Sequence, residues 1–461
     1  MTALIDDPAM KLLSIDDDGT DPRIWKRTLF GAWFAQFATM TGFSFAMPFI
    51  PFFLEKDLGV TSPDSLQLWS GLAVSAPAWT MMIFAPIWGV LSDRIGRKTM
   101  VMRAMFGAAV IVFVMGYSVS PMMLFVMRLV QGAVTGTVSA SNALVSSVTP
   151  RSRAAFSMGI MQTSVYLGSS IGPLLGGFVA DTFGYRASFT VAAGLMLVGG
   201  VIVLLVTDEG NAAPQKADAS GRSPAKTDTL RSLLLNGSFF ALLTTLFMTH
   251  FSNTVLGPIF PLFVRSRMTD PAMVNTVVGS LMAVSSVVAA LMSIPIGWVS
   301  DKVGPKKTLA AGMALGGIVF SLYPFMPTIG SLFVIRAFTG LAASCVGPTL
   351  GGIISRSVPR SSQGKAFGMV QSANSLGFGA GPAAGSLISI GYGIEAPFFV
   401  TGVIQIFLAF LSWKLIKDSP MAEREPKETP VEVSVPVHQP IERTCAANEP
   451  TKPNPSPWDS D

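Results

Sequence analysis

The amino-acid sequence predicts an all-α polytopic membrane protein, with 12 transmembrane helices arranged as two pseudo-symmetric six-helix bundles. Three observations predict it. Half of the 461 residues are hydrophobic and only 13% are charged, against about 25% charged in an ordinary soluble chain. With a mean hydropathy of +0.53, too little polar surface is left to coat a water-soluble globule. Apolar stretches of bilayer-spanning length recur along the chain, and the two sets of six share motifs at a nearly constant offset.

A hydrocarbon core about 30 Å thick needs roughly 20 residues of helix per crossing. Twelve stretches meet that length: 28–53, 67–91, 99–119, 122–145, 155–180 and 187–206, then 236–264, 273–297, 307–326, 330–354, 364–390 and 396–416. The implied organisation is an N-terminal tail (1–24), a first bundle (25–206), a polar linker (207–231), a second bundle (232–417) and a C-terminal tail (418–461). Nine prolines and many charges predict disorder in that last segment. The first 21 residues are polar and acidic with no apolar run, so the first span is expected to act as its own insertion signal.

An even number of spans puts both termini on one side, and the basic residues choose it. With the termini in the cytoplasm, 26 of the 32 Lys and Arg residues fall inside; only Lys56, Arg186, Arg265 and Arg267 fall outside, and Arg128 and Arg336 lie within spans. That asymmetry predicts a multi-pass cell-membrane protein with cytoplasmic termini. It also accounts for the net charge of +5 through contact with anionic lipid, without nucleic acid. Two distant cysteines imply no disulfide framework and no metal site. No nucleotide-binding loop or Ser/His/Asp arrangement is present, so neither an enzyme nor a cofactor is expected.

The internal repeat is legible residue by residue. Pro48-x-x-Pro51 recurs 210 positions later as Pro258-x-x-Pro261. The run Gly89-Val-Leu-Ser-Asp93-Arg94-Ile-Gly96-Arg97-Lys98 recurs 208 later as Gly297-Trp-Val-Ser-Asp301-Lys302-Val-Gly304-Pro305-Lys306. Arg128 matches Arg336 at 208, and Gln162, Gly168, Gly172-Pro173 and Gly176 match Gln371, Gly377, Gly381-Pro382 and Gly385 at 209. Parallel duplication of this kind places a substrate site between the halves near the midplane.

These motifs resemble those of the major facilitator superfamily, and within it the twelve-span drug:proton antiporters of bacterial multidrug efflux. Gly89 to Lys98 is similar to the superfamily's loop motif, Gly168-x-x-x-Gly172-Pro173-x-x-Gly176-Gly177 to the fifth-span antiporter motif, and Gly42-x5-Pro48-x-x-Pro51 to the first-span motif. The resemblance implies the major facilitator fold, proton-coupled export, a loop motif that locks the outward-facing state against the start of span eleven, and an arginine at 128 that assists proton transfer.

The residues themselves support several roles. Gly89 and Gly297 are small enough for close helix approach, and Asp93 and Asp301, with Arg94, Gly96 and Arg97, sit where a conformational latch would break on rocking. Pro305 replaces the basic residue matching Arg97, and the stretch from Ser139 to Ser157 has no acid to answer the motif's arginines, which predicts a simpler latch. Gly168, Gly172, Pro173 and Gly176 predict a tightly packed, bent helix that gates the outer half, or small-residue packing alone. Since the second half repeats this set only partly, a directional role is expected of the first half.

No carboxylate falls in the middle of any span. Candidates for proton coupling are therefore Arg128, His250, Asp93, Glu55 and Asp181. Arg128 heads a stripe of Gln131, Thr135, Ser139 and Asn142 at helical spacing, with snorkelling to the interface as the alternative. The expected substrate surface comprises Gln36, Phe43, Gln131, Asn142, Gln162, Tyr166, Phe247, His250, Asn253, Gln371 and Asn374, uncharged and adaptable. It suits neutral, zwitterionic or anionic amphiphiles better than polycations. The leading reading is proton-driven efflux of small amphipathic compounds by rocker-switch alternation; a metabolite facilitator or symporter is the alternative, and a non-transporting membrane sensor comes third. Protons, amphipathic substrates and the lipid bilayer are the expected partners of a monomeric chain.

Overall fold

The computed structural model describes residues 22–150, 153–207, 237–357 and 363–415. The expected linker and C-terminal tail, and all but the end of the N-terminal tail, lie outside the described residues. What is described is helical: α1 (Pro22–Ala46), α2 (Ile50–Lys56), α3 (Pro63–Ile95), α4 (Arg97–Gly116), α5 (Pro121–Val134), α6 (Thr137–Val148), α7 (Ala154–Phe183) and α8 (Tyr185–Val206), then α9 (Gly237–Val255), α10 (Ile259–Ser266), α11 (Val274–Val303), α12 (Pro305–Leu322), α13 (Ile329–Ser357), α14 (Gln363–Tyr392) and α15 (Ala396–Leu415). Pairing α1 with α2, α5 with α6 and α9 with α10 leaves twelve passes. Nine of them are long and apolar enough to cross a membrane by length and composition. The other three, α7, α9–α10 and α14, are diluted by Ser, Thr, Asn, Gln and Gly.

Proline and glycine set the boundaries. Pro22, Pro63, Pro121 and Pro305 each open a helix, where a missing N–H costs nothing. Gly96, Gly184, Gly304 and Gly393 have φ of +103°, +83°, +104° and +91°, and each lets the chain reverse between consecutive helices in a conformation only glycine adopts freely. The four form two pairs at offsets of 208 and 209, so the repeat extends to the turns. The Pro48-x-x-Pro51 segment breaks the first pass into α1, a 3-10 turn at Met47–Phe49, and α2. Its copy separates α9 from α10.

Packing repeats as well. α1 packs on α7 and α8, as α9 packs on α14 and α15; α4 packs on α8, as α12 packs on α15; α3 packs on α5, as α11 packs on α13. Phe53 packs against Phe189 in a tilted pair with centroids 5.0 Å apart, and their copies Phe263 and Phe398 meet at 4.6 Å. The two halves join through α7 against α11 and α3 against α14, again a symmetric pair. We call the end bearing the described chain termini the terminal face and the opposite end the distal face. Large apolar side chains such as Val110, Leu205, Phe407 and Phe410 are exposed around the bundle, as a lipid-facing surface requires.

One expectation is corrected here. The polar stripe below Arg128 is not continuous, because Thr135 is extended and Gly136 takes φ +138°, which ends α5 and restarts the helix as α6. Gln131 therefore stays buried in α5, whereas Ser139 caps the break by donating to the Gly136 carbonyl at 2.9 Å.

Candidate functional site

Arg128 is 3% exposed, about 10 Å from the distal start of α5. Its Nε donates to the Ala73 carbonyl at 2.9 Å, Nη1 to Gln131 Oε1 at 2.7 Å, and Nη2 contacts the Met47 sulfur at 2.6 Å. The Ala73 carbonyl is free for a local reason: four residues on stands Pro77, which has no N–H to return. The sequence thus prepares an acceptor in α3 and a donor in α5. Met47 lies at the break between α1 and α2, so the guanidinium ties three passes together. The Phe43 ring centroid is 5.5 Å away. Snorkelling is excluded, since the side chain is directed into its own half.

The copy, Arg336, is placed differently. It lines a cavity of about 340 Å³ together with Tyr166 and Ser169 from α7 and Asn253, Phe260, Ser285 and Thr339 from the second half. Of the eleven expected binding residues, Tyr166 and Asn253 border this cavity. Asn253 Oδ1 accepts from Gln405 Nε2 at 3.3 Å. His250 lies on α9 with its ring 5.0 Å from that of Phe378, and the Phe247 ring lies 5.9 Å from that of Phe251. Gln36 donates to the Met161 carbonyl at 3.3 Å inside the first half. Asn142 and Asn374 each keep a buried Oδ1 without a partner, Gln162 is exposed, and the Gln371 side chain lies outside the described residues.

The carboxylates whose side chains are described gather at the distal face. Glu55 accepts from Arg265 across the two halves. Asp181, in the last turn of α7, accepts from Asn275 Nδ2, Thr276 N and Thr276 Oγ1, each at 2.7 Å. It therefore caps the positive N-terminus of α11 in the other half. Below this latch the backbones nearly touch. A Cβ on Gly177 would collide with the Asn275 carbonyl, one on Gly279 with the Pro173 carbonyl, and one on Gly71 would lie 2.9 Å from the Pro382 carbonyl. Trp79 Nε1 donates to the Gly379 carbonyl at 2.9 Å, and the Ala383 amide donates to Ser75 Oγ at 3.1 Å. These contacts reach from the distal face to mid-helix. Toward the terminal face, Ile83, Ile87, Ile294 and Trp298 are exposed.

A two-part match to the family model described as the Major Facilitator Superfamily covers residues 32–273 and 242–458. The chain belongs to this superfamily. Among its relatives, the multidrug resistance protein MdtG of Serratia proteamaculans is 33% identical over 402 residues, covering 87% of this chain and 96% of that protein. MdtG of Rahnella sp. is 30% identical over 401 residues, with the same coverage. The resemblance to the drug:proton antiporters drawn from the motifs agrees with both. The fold is shared with the nucleoside transporter NupG, with a TM-score of 0.70 at 13% identity over 85% of this chain and 99% of that one. It is shared too with a bacterial homologue of the human lysosomal transporter Spinster, with a TM-score of 0.70 at 15% identity over 85% and 97%.

Within this superfamily fold, the motif glycines differ in what they touch. No described atom lies within 4 Å of a Cβ placed on Gly89 or Gly297, and described residues at the adjoining ends of α3 and α11, such as Ile95 and Val303, are exposed. The glycine ladder of the fifth pass packs alike in both halves. Gly168, Gly172 and Gly176 seat α7 on the backbone of α1 around Phe37, Thr41 and Phe45, and Gly377, Gly381 and Gly385 seat α14 on α9 around Phe247, Phe251 and Val255 in the same way. Arg97 donates to the Ala143 carbonyl at 3.0 Å. The side chains of Asp93, Arg94 and Asp301 lie outside the described residues.

Sequence reasoning missed Arg103, Gly71 and Gly279. The Arg103 guanidinium stacks 3.5 Å from the Trp88 ring centroid, and its Nε and Nη1 are buried without partners. Counting it among loop cations hid a third arginine within the helical bundle. Gly71 and Gly279 stand 208 apart, which was the available signal.

Proposed function

We propose that this chain exports small amphipathic compounds across the cell membrane by proton-coupled alternating access, with the terminal face cytoplasmic. The observation that carries the reading is the asymmetry of the interface between the halves: every hydrogen bond between them among the described residues lies between the distal face and mid-helix. A rocker-switch transporter closed on one side has this form. The multidrug resistance names of the relatives support efflux, and the cytoplasmic excess of Lys and Arg supports the orientation.

Coupling is assigned to the distal latch. Protonation of Glu55 removes its charge pair with Arg265, and protonation of Asp181 weakens the cap on α11; both favour opening toward the side from which protons arrive. After reorientation the proton leaves to the cytoplasmic side, which restores the closed latch and carries one proton inward per cycle. Gly89, Gly297 and the loop motif would close the cytoplasmic side in the alternate state.

Everted vesicles loaded by a pH gradient test this reading, with transport of several amphipathic dyes followed by fluorescence. Glu55→Gln and Asp181→Asn should each lower gradient-dependent transport at least about tenfold while dye binding persists. Full gradient-driven transport in the double variant removes the latch from coupling; failure of the intact chain to move any dye down or against a gradient refutes export itself.

A further inference from the structure

Arg336 and Arg128 occupy equivalent positions, yet only one is satisfied by its own half. Arg128 has all three of its nitrogens engaged. Arg336 lies 4.3 Å above the Phe260 ring centroid, its Nη1 reaches the Tyr323 hydroxyl only at 3.5 Å, and its Nε is buried with no partner. Tyr323 meanwhile shares its hydroxyl with Thr339 at 2.9 Å. No carboxylate lines the cavity, and the three ion pairs among the described residues all involve other arginines at the distal face. A guanidinium deep in a bilayer with an unfilled donor and no counter-charge is strongly favourable ground for an anion.

A second polar side chain borders the same space. Asn253 accepts from Gln405 through Oδ1, which leaves its amide N–H groups for a ligand. Phe260, Phe320 and Met282 supply the apolar wall. We propose that this cavity is an organic-anion subsite: Arg336 and Asn253 hold the carboxylate, or a comparable oxyanion, of an amphipathic molecule whose apolar body lies against that wall. The inference rests on the transport reading above and narrows its substrate class.

The test uses a fluorescent aromatic carboxylate and the primary amide of the same body, with the purified full chain in lipid-free neutral detergent and in proteoliposomes. The intact protein should bind the carboxylate more tightly than the amide. Arg336→Gln should reduce that preference by about tenfold or more, the scale of one charge-assisted hydrogen bond, and Arg336→Lys should restore part of it. Asn253→Asp, at an exposed position that leaves packing intact, should lower the preference in the same direction. Equal affinity for the two ligands in the intact protein, a parallel loss of both in Arg336→Gln, or an unchanged preference in Asn253→Asp overturns the proposal. Proteoliposome uptake separates the two readings. Charge-selective binding without uptake keeps the subsite and refutes transport, and uptake without charge preference does the reverse.

Discussion

At the scale of single residues, the cost of burying a charge is met by preparing its partners in the backbone. Arg128 was visible in the sequence as an expensive residue, but its solution was not, because the acceptor it uses exists only when α3 is helical and Pro77 leaves the Ala73 carbonyl vacant. Replacing Arg128 with Ala leaves that carbonyl and Gln131 without their donor and is expected to cost about 3 kcal/mol or more, read as a lowered thermal midpoint in detergent. Adding Pro77→Ala should recover part of the loss, since the alanine N–H can then return the Ala73 carbonyl to the helix; a double variant no more stable than Arg128→Ala would contradict this account. Asp181 teaches the same lesson from the other side. Its place at the end of a span was legible, whereas its capping of Asn275 and Thr276 depends on which helix of the other half arrives there.

At the scale of elements, the small-residue ladders explain why the fifth and eleventh passes are poor in large side chains. Their glycines let α7 and α14 lie directly on the backbones of α1 and α9. Gly176→Ala and Gly385→Ala should each destabilise by about 1–3 kcal/mol, because each new methyl meets a carbonyl rather than a yielding side chain. Equal shifts in thermal midpoint are expected, and a large effect of Gly176→Ala alone would favour a role special to the first half. Twelve helical passes and their order were readable from hydropathy and length. The breaks within the first, fourth and seventh passes were not, since Thr135-Gly136 interrupts a stretch long enough for one unbroken span and spaced as a single helical stripe.

For the whole molecule, duplication was the most legible property, and it extends further than the motifs that revealed it. The turns, the tilted aromatic pairs and the two seams between halves all repeat. The seams escaped notice because glycine in a membrane helix is common, and only the assembled pair shows that Gly71 faces Pro382 while Gly279 faces Pro173. Gly279→Ala should wedge the distal face apart and shift the population toward the opposite opening. Distances between spin labels at the two faces would register it, the distal distance lengthening and the terminal one shortening; unchanged distances would mean that the seam is not the contact holding this state. The cavity cation has an electrical consequence of its own. Carrying one elementary charge through the full membrane field involves about 2.3 kcal/mol per 100 mV. Beside Arg336 a monovalent anion forms a neutral package, which reorients almost free of that work, whereas a cation there doubles the charge displaced, so voltage sorts ligands by sign even where shape does not.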